Sequence, residues 1–156
     1  MSIPTKVIEF LDQNHVRYEI LHHPEAFTAQ ELAAVEHIKG KQHAKVVMVK
    51  ADGSQLMAVL PADHRVDLEK LDKLIGKRTA LATEADFKTL FPDCAVGTMP
   101  PFGKLYGVET YVDKSLTEND AIVFEAGTHS DAVKMRYGDF ERVAAPKVAE
   151  FAVKLH

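Results

Sequence analysis

Two apolar runs, residues 44–50 and 55–60, flank Ala51-Asp52-Gly53-Ser54, and this arrangement constrains the chain more than any other feature. An Asp-Gly pair tolerates positive φ at both centres of a two-residue turn, so the runs should pair as an antiparallel hairpin. Alternation along the first run places Lys45, Val47 and Val49 on one face, and a cation therefore heads an apolar strand face. Two readings of Lys45 follow. Its stem packs while its ammonium reaches water, or it is a fixed positive charge at the mouth of an apolar pocket.

The remaining segments read as short elements. Residues 4–14 place Val7, Phe10 and Leu11 at helical spacing, and residues 16–21 form a strand ending before His22-His23-Pro24. Thr28-Ala-Gln-Glu31 has the spacing of a capping box, followed by Leu32, Val35, Ile38 and the stop at Gly40. The clearest helix starts at Asp67, carries leucines at 68, 71 and 74, and ends at Gly76. A short helix over 83–90 precedes expected strands at 94–97, 107–112, 121–125 and 132–136, then helical stretches at 139–143 and 147–155. Strands and helices do not alternate strictly, which argues against a doubly wound parallel sheet. The expectation is one α+β domain over residues 1–156, a curved, mixed, barrel-like β-sheet flanked by helices.

Hydrophobic residues make up 46% of the chain, enough for a self-sufficient core, and Cys94 is the single cysteine, so no internal disulfide can form. No apolar run approaches the ~20 residues of a membrane span. A cytoplasmic protein without membrane association is expected. The net charge of −4 argues against wrapping a long nucleic acid, DNA included, but permits a few phosphate contacts. The basic groups Lys41, His43 and Lys45; Lys70, Lys73, Lys77 and Arg78; and Lys134 with Arg136 read singly as solvated faces.

The chain's 8 histidines lack the paired spacings of zinc sites, so no metal is expected. Nothing near Cys94 supports a nucleophile, and it reads as a small buried hydrophobe. The loop Gly97-Thr98-Met99-Pro100-Pro101-Phe102-Gly103 combines prolines that lock the backbone with glycines that permit close approach. Its carbonyls and amides could orient a water or an ester. Gly127-Thr128-His129-Ser130-Asp131 follows an apolar strand, where binding groups are often displayed, and His129 is the best functional histidine.

In this order, the Thr28 helix start, Lys45 opening an apolar strand, the Asp67 to Gly76 helix, the Gly97-x-x-x-Pro101 loop and the Gly127 turn resemble the YbaK/prolyl-tRNA synthetase editing-domain superfamily over nearly the whole chain. That resemblance implies a free-standing aminoacyl-tRNA deacylase, acting on the acceptor end of a mischarged tRNA without a cofactor, with transient synthetase contact compatible with it. It implies catalytic roles for Lys45 and Gly97, and a substrate pocket formed by Thr28, Val47, Thr98, Met99, Pro100, Pro101, Gly127 and His129. Alanine on proline tRNA is the first expectation, with serine, threonine and cysteine open. Several relatives carry a polar residue after the lysine where this chain has Val46, so no particular relative's preference transfers. The alternatives are a non-catalytic module that binds a tRNA end or aminoacyl ligand, and an enzyme acting on another acylated or nucleotide-linked compound.

Overall fold

The structure, a computed structural model, describes residues 3–22 and 40–155. Thr28 and the helix expected after it lie outside these residues. Along the chain run α1 (Thr5–Gln13), β1 (Tyr18–His22), the hairpin β2 (Ala44–Ala51) and β3 (Ser54–Pro61), β4 (His64–Val66), α2 (Leu68–Ile75), β5 (Thr79–Leu81) and α3 (Glu84–Phe87). Then follow β6 (Glu109–Asp113), β7 (Ala121–Glu125), β8 (Asp131–Arg136), α4 (Tyr137–Ala144), β9 (Lys147–Ala149) and β10 (Ala152–Lys154).

The hairpin forms as its turn residues dictate: Asp52 and Gly53 take φ of 49° and 78°, and β2 pairs with β3 from Ala44↔Pro61 to Ala51↔Ser54. It is the centre of a five-stranded mixed sheet in the order β5-β2-β3-β6-β9, in which β3–β6 and β6–β9 are parallel. A three-stranded antiparallel sheet, β1-β8-β7, and the pair β10-β4 complete the strands. Among the described residues these sheets do not close into a barrel, so the architecture is the expected mixed α+β domain without closure.

Local side-chain chemistry caps α2 and α3. The Asp67 carboxylate accepts from the amides of Glu69 and Lys70 at 3.0 and 3.2 Å, satisfying donors that the first turn leaves free, and Gly76 ends α2 at φ 75°. Thr83 and Asp86 form a reciprocal capping box on α3.

Two expected elements differ. Residues 94–97 form turns, because the amides of Cys94, Ala95 and Thr98 donate to Phe91, Gly127 and Ala95 carbonyls and leave no ladder to join. Residues 147–155 form β9 and β10 in place of a helix. Ala145 is left-handed at φ 48° and ends α4; β9 then pairs parallel to β6, and the Phe151 and Ala152 amides donate to the Asp113 carboxylate at 2.8 and 2.9 Å. A nonlocal strand edge and a buried acceptor override helical spacing.

The mixed sheet separates two cores. On one side, Phe102 meets Phe10, Phe124 and Phe140 with ring centroids 5.4, 5.4 and 5.9 Å apart, among Val7, Leu11, Met48, Met57 and Met99. On the other, Val49, Leu56, Leu60, Leu71 and Phe151 pack together. Burying each such side chain contributes about 1.5–3 kcal/mol. His43 is fully buried, so it is no part of a solvated basic face. No described helix is long and apolar enough to cross a membrane.

Candidate functional site

The candidate site lies where β2 runs beside β7. Among the described residues the one bridge between them is His43, just before β2, with Val123, supported by the Val123 amide donating to Gln42 at 3.0 Å. Further along, β2 pairs with β5 from Val49 onward. Between these two attachments, the edge of β2 around Lys45 is unpaired among the described residues. Lys45 stands two residues past the bridge on β2, and Glu125 two residues past it on β7, so parallel register turns both toward one face.

Lys45 is half-buried. Its Nζ donates to the Ala62 carbonyl at 3.5 Å, and burial holds its pKa below the ordinary 10.5, partly offset by the Asp63 carboxylate. Val47 follows on the same face and packs toward Leu60, Leu71 and Phe151, whereas Met99 packs on the Phe102 side of the sheet. The structure therefore does not bring Val47 and Met99 together.

It does join the Gly97–Pro101 loop to the Gly127 turn. The Ala95 amide donates to the Gly127 carbonyl at 2.9 Å, and the Gly127 amide donates to Thr98 at 2.8 Å. Thr98, fully buried, closes the loop with its amide and hydroxyl donating to Ala95 at 3.1 and 2.6 Å. Pro100 and Pro101 carry no amide hydrogen, and the Thr98 donor is taken. Among the described residues the amides of Gly97 and Met99 have no hydrogen-bond acceptor and are the donors the loop can offer a substrate.

Gly127 takes φ 91°, and a Cβ there would overlap the Pro4 ring at the start of α1, so only glycine fits. After it, the Thr128 hydroxyl donates to Asp131 at 2.7 Å, and His22 Nδ1 meets the other Asp131 oxygen at 2.6 Å. His129 lies with Nδ1 3.9 Å from the buried carboxylate of Glu125. Sequence reasoning missed Glu125 and Asp131. The available signal was a carboxylate closing an apolar strand four residues before His129.

Cys94 is half-buried against Tyr106, 3.5 Å from its hydroxyl, and burial pushes the thiol up to about 12. It is therefore protonated at neutral pH and a poor nucleophile. Among the described residues, no His/Cys/Asp/Glu group could hold a metal ion.

The model of the aminoacyl-tRNA editing domain matches residues 23–143, which include the His43↔Val123 bridge, the loop and the turn. The chain belongs to the aminoacyl-tRNA editing domain family. Within it, the chain is 28% identical over 152 residues to the multifunctional Ser/Thr-tRNA deacylase ProXp-y of Escherichia coli, covering 94% of this chain and 90% of that protein. It is 24% identical to the prolyl-tRNA editing protein ProX of Acetoanaerobium sticklandii, covering 92% and 91%. A crystal structure of a candidate trans-editing enzyme for prolyl-tRNA synthetase shares the editing-domain fold at TM-score 0.83 and 20% identity, over 97% of this chain and 99% of that one.

Proposed function

We propose that this chain is a trans-editing deacylase that hydrolyses the ester joining a wrong amino acid to the acceptor end of a tRNA. The observation that carries the reading is a half-buried lysine two residues past the His43↔Val123 bridge, on a β2 edge that is unpaired among the described residues; the Gly127 turn to which the Gly97–Pro101 loop is locked follows β7.

An aminoacyl ester is already activated, so placing water contributes more than a strong nucleophile would. Lys45, as an ammonium, donates to a phosphate or to the ester and is no base. The Gly97 and Met99 amides can stabilise charge developing on the carbonyl oxygen. Water adds to that carbonyl, the ester C–O bond breaks, and the proton passes to the departing ribose hydroxyl, yielding free amino acid and tRNA. No cofactor takes part. Pro100, Pro101 and the His129–Glu125 pair shape the amino-acid end of the pocket; Thr28 and Val47 are proposed to border it.

The two relatives are named for Ser/Thr-tRNA and prolyl-tRNA, and this chain has Val46 after the lysine. Alanine on proline tRNA is the first substrate proposed, because a synthetase pocket built for a larger side chain cannot exclude a smaller one efficiently, each methylene discriminating by only ~1–3 kcal/mol. The reaction takes place in the cytoplasm, with transient contact with the charging synthetase. The test incubates the protein with alanyl-, seryl-, threonyl- and cysteinyl-tRNAs and follows ester loss. Hydrolysis of at least one above the spontaneous rate is expected. Binding of tRNA without hydrolysis of any would replace the proposal with a non-catalytic module.

A further inference from the structure

β8 carries cations outward from the candidate site along one sheet face. Its pairing places Ala132 opposite Glu125 and Leu21, and Lys134 opposite Val123 and Glu19; Arg136 stands opposite Ala121. Alternation keeps these residues on the face that Glu125 occupies, while Met135 turns into the core. Arg17, just before β1, joins Lys134 and Arg136 around a shallow groove of about 230 Å³. All three are exposed, and among the described residues none has a carboxylate within ion-pair distance. Glu19 is the one acidic residue lining the groove; Asp120 and Asp139 border Arg136 on its other side and end the basic strip there.

We propose that Arg17, Lys134 and Arg136 form a track for RNA phosphates, seating the strand that leads away from the aminoacyl end. The inference rests on the deacylase reading for the identity of the RNA. From Lys134 to Arg136 the exposed strip runs roughly 7 Å at ~3.3 Å per residue, about the spacing of neighbouring phosphates, and Arg17 widens it across the groove. Against a net charge of −4, a local cluster unpaired among the described residues favours one place for the backbone. Unpaired exposed cations lose no ion pair on meeting a phosphate, and each releases counterions from the RNA.

The test measures binding of an uncharged proline tRNA transcript against salt, so that it does not depend on hydrolysis. It compares wild type, the Arg17→Gln/Lys134→Gln/Arg136→Gln variant, and a Lys70→Gln/Lys73→Gln/Lys77→Gln variant that removes equal charge from exposed positions on and beside α2. At ~0.7 per phosphate neutralised on single strands, the track variant should lose about 2 from the log–log salt slope. Wild-type binding should thus weaken roughly 20-fold more than that variant's between 50 and 200 mM salt. The α2 variant should keep the wild-type slope, and the track variant should hydrolyse 3′-aminoacyl adenosine as wild type does. An unchanged slope in the track variant, or an equal loss in both variants, overturns the proposal. Failure of wild type to hydrolyse any aminoacyl-tRNA while the slope difference persists would overturn the deacylase reading and leave the track standing.

Discussion

Lys45 is the residue on which chemistry and fold place opposite demands. Burial lowers its pKa, which penalises the charged form that the proposed mechanism uses, and the nearby Asp63 carboxylate opposes that loss. The folded state holds this proton less tightly than the unfolded chain, so the ammonium is lost below 10.5 as pH rises. Deacylation, corrected for spontaneous ester loss, should therefore fall on the alkaline side below that value. Lys45→Arg should be slower than wild type yet keep a flat profile there, since guanidinium stays charged. An identical alkaline fall in Lys45→Arg would mean that another group titrates. Cys94→Ala should leave neutral-pH turnover at the wild-type level, because a thiol with a pKa of about 12 contributes no thiolate; loss of turnover in a folded variant would restore cysteine chemistry. Lys45 was legible because a cation on an apolar strand face is a local anomaly. Glu125 was not, since its pairing with His129 depends on how the chain turns after β7.

At the scale of elements, what was legible carried its own punctuation. The hairpin announced itself through Asp52-Gly53 and α2 through Asp67 and Gly76, each a local backbone demand. β4, β5, β9 and β10 are three residues each and exist through partners far along the chain. Asp113 shows how such a partner works, for its buried carboxylate accepts from the Phe151 and Ala152 amides and from Ser115. Asp113→Ala should cost roughly 2–5 kcal/mol, because donors buried without an acceptor cost ~1–3 kcal/mol each. Chemical denaturation should show it, with faster amide exchange at Phe151 and Ala152; unchanged exchange there would contradict the tether. Gly127→Ala should cost roughly 2–4 kcal/mol, combining positive-φ strain with overlap on Pro4, and should slow deacylation by shifting the Thr98 contact. A Gly127→Ala protein of unchanged stability would show that α1 does not brace the turn.

Across the whole molecule, two cores fix the mixed sheet, β7 belongs to the neighbouring sheet, and the candidate site is proposed where the two are bridged. Rigid backbone, one cation and few phosphate contacts suit an ester that needs placement more than activation. The central claim is that Lys45 holds the substrate for hydrolysis, and single-turnover deacylation of the preferred aminoacyl-tRNA by Lys45→Ala tests it most directly. Circular dichroism should show the wild-type fold, since the side chain is half-buried at a strand edge that is unpaired among the described residues. Loss of a charge-assisted contact that positions the ester should cost on the order of 2–4 kcal/mol, or roughly 30- to 1,000-fold in rate. A folded Lys45→Ala protein that hydrolyses the substrate at the wild-type rate would contradict the claim.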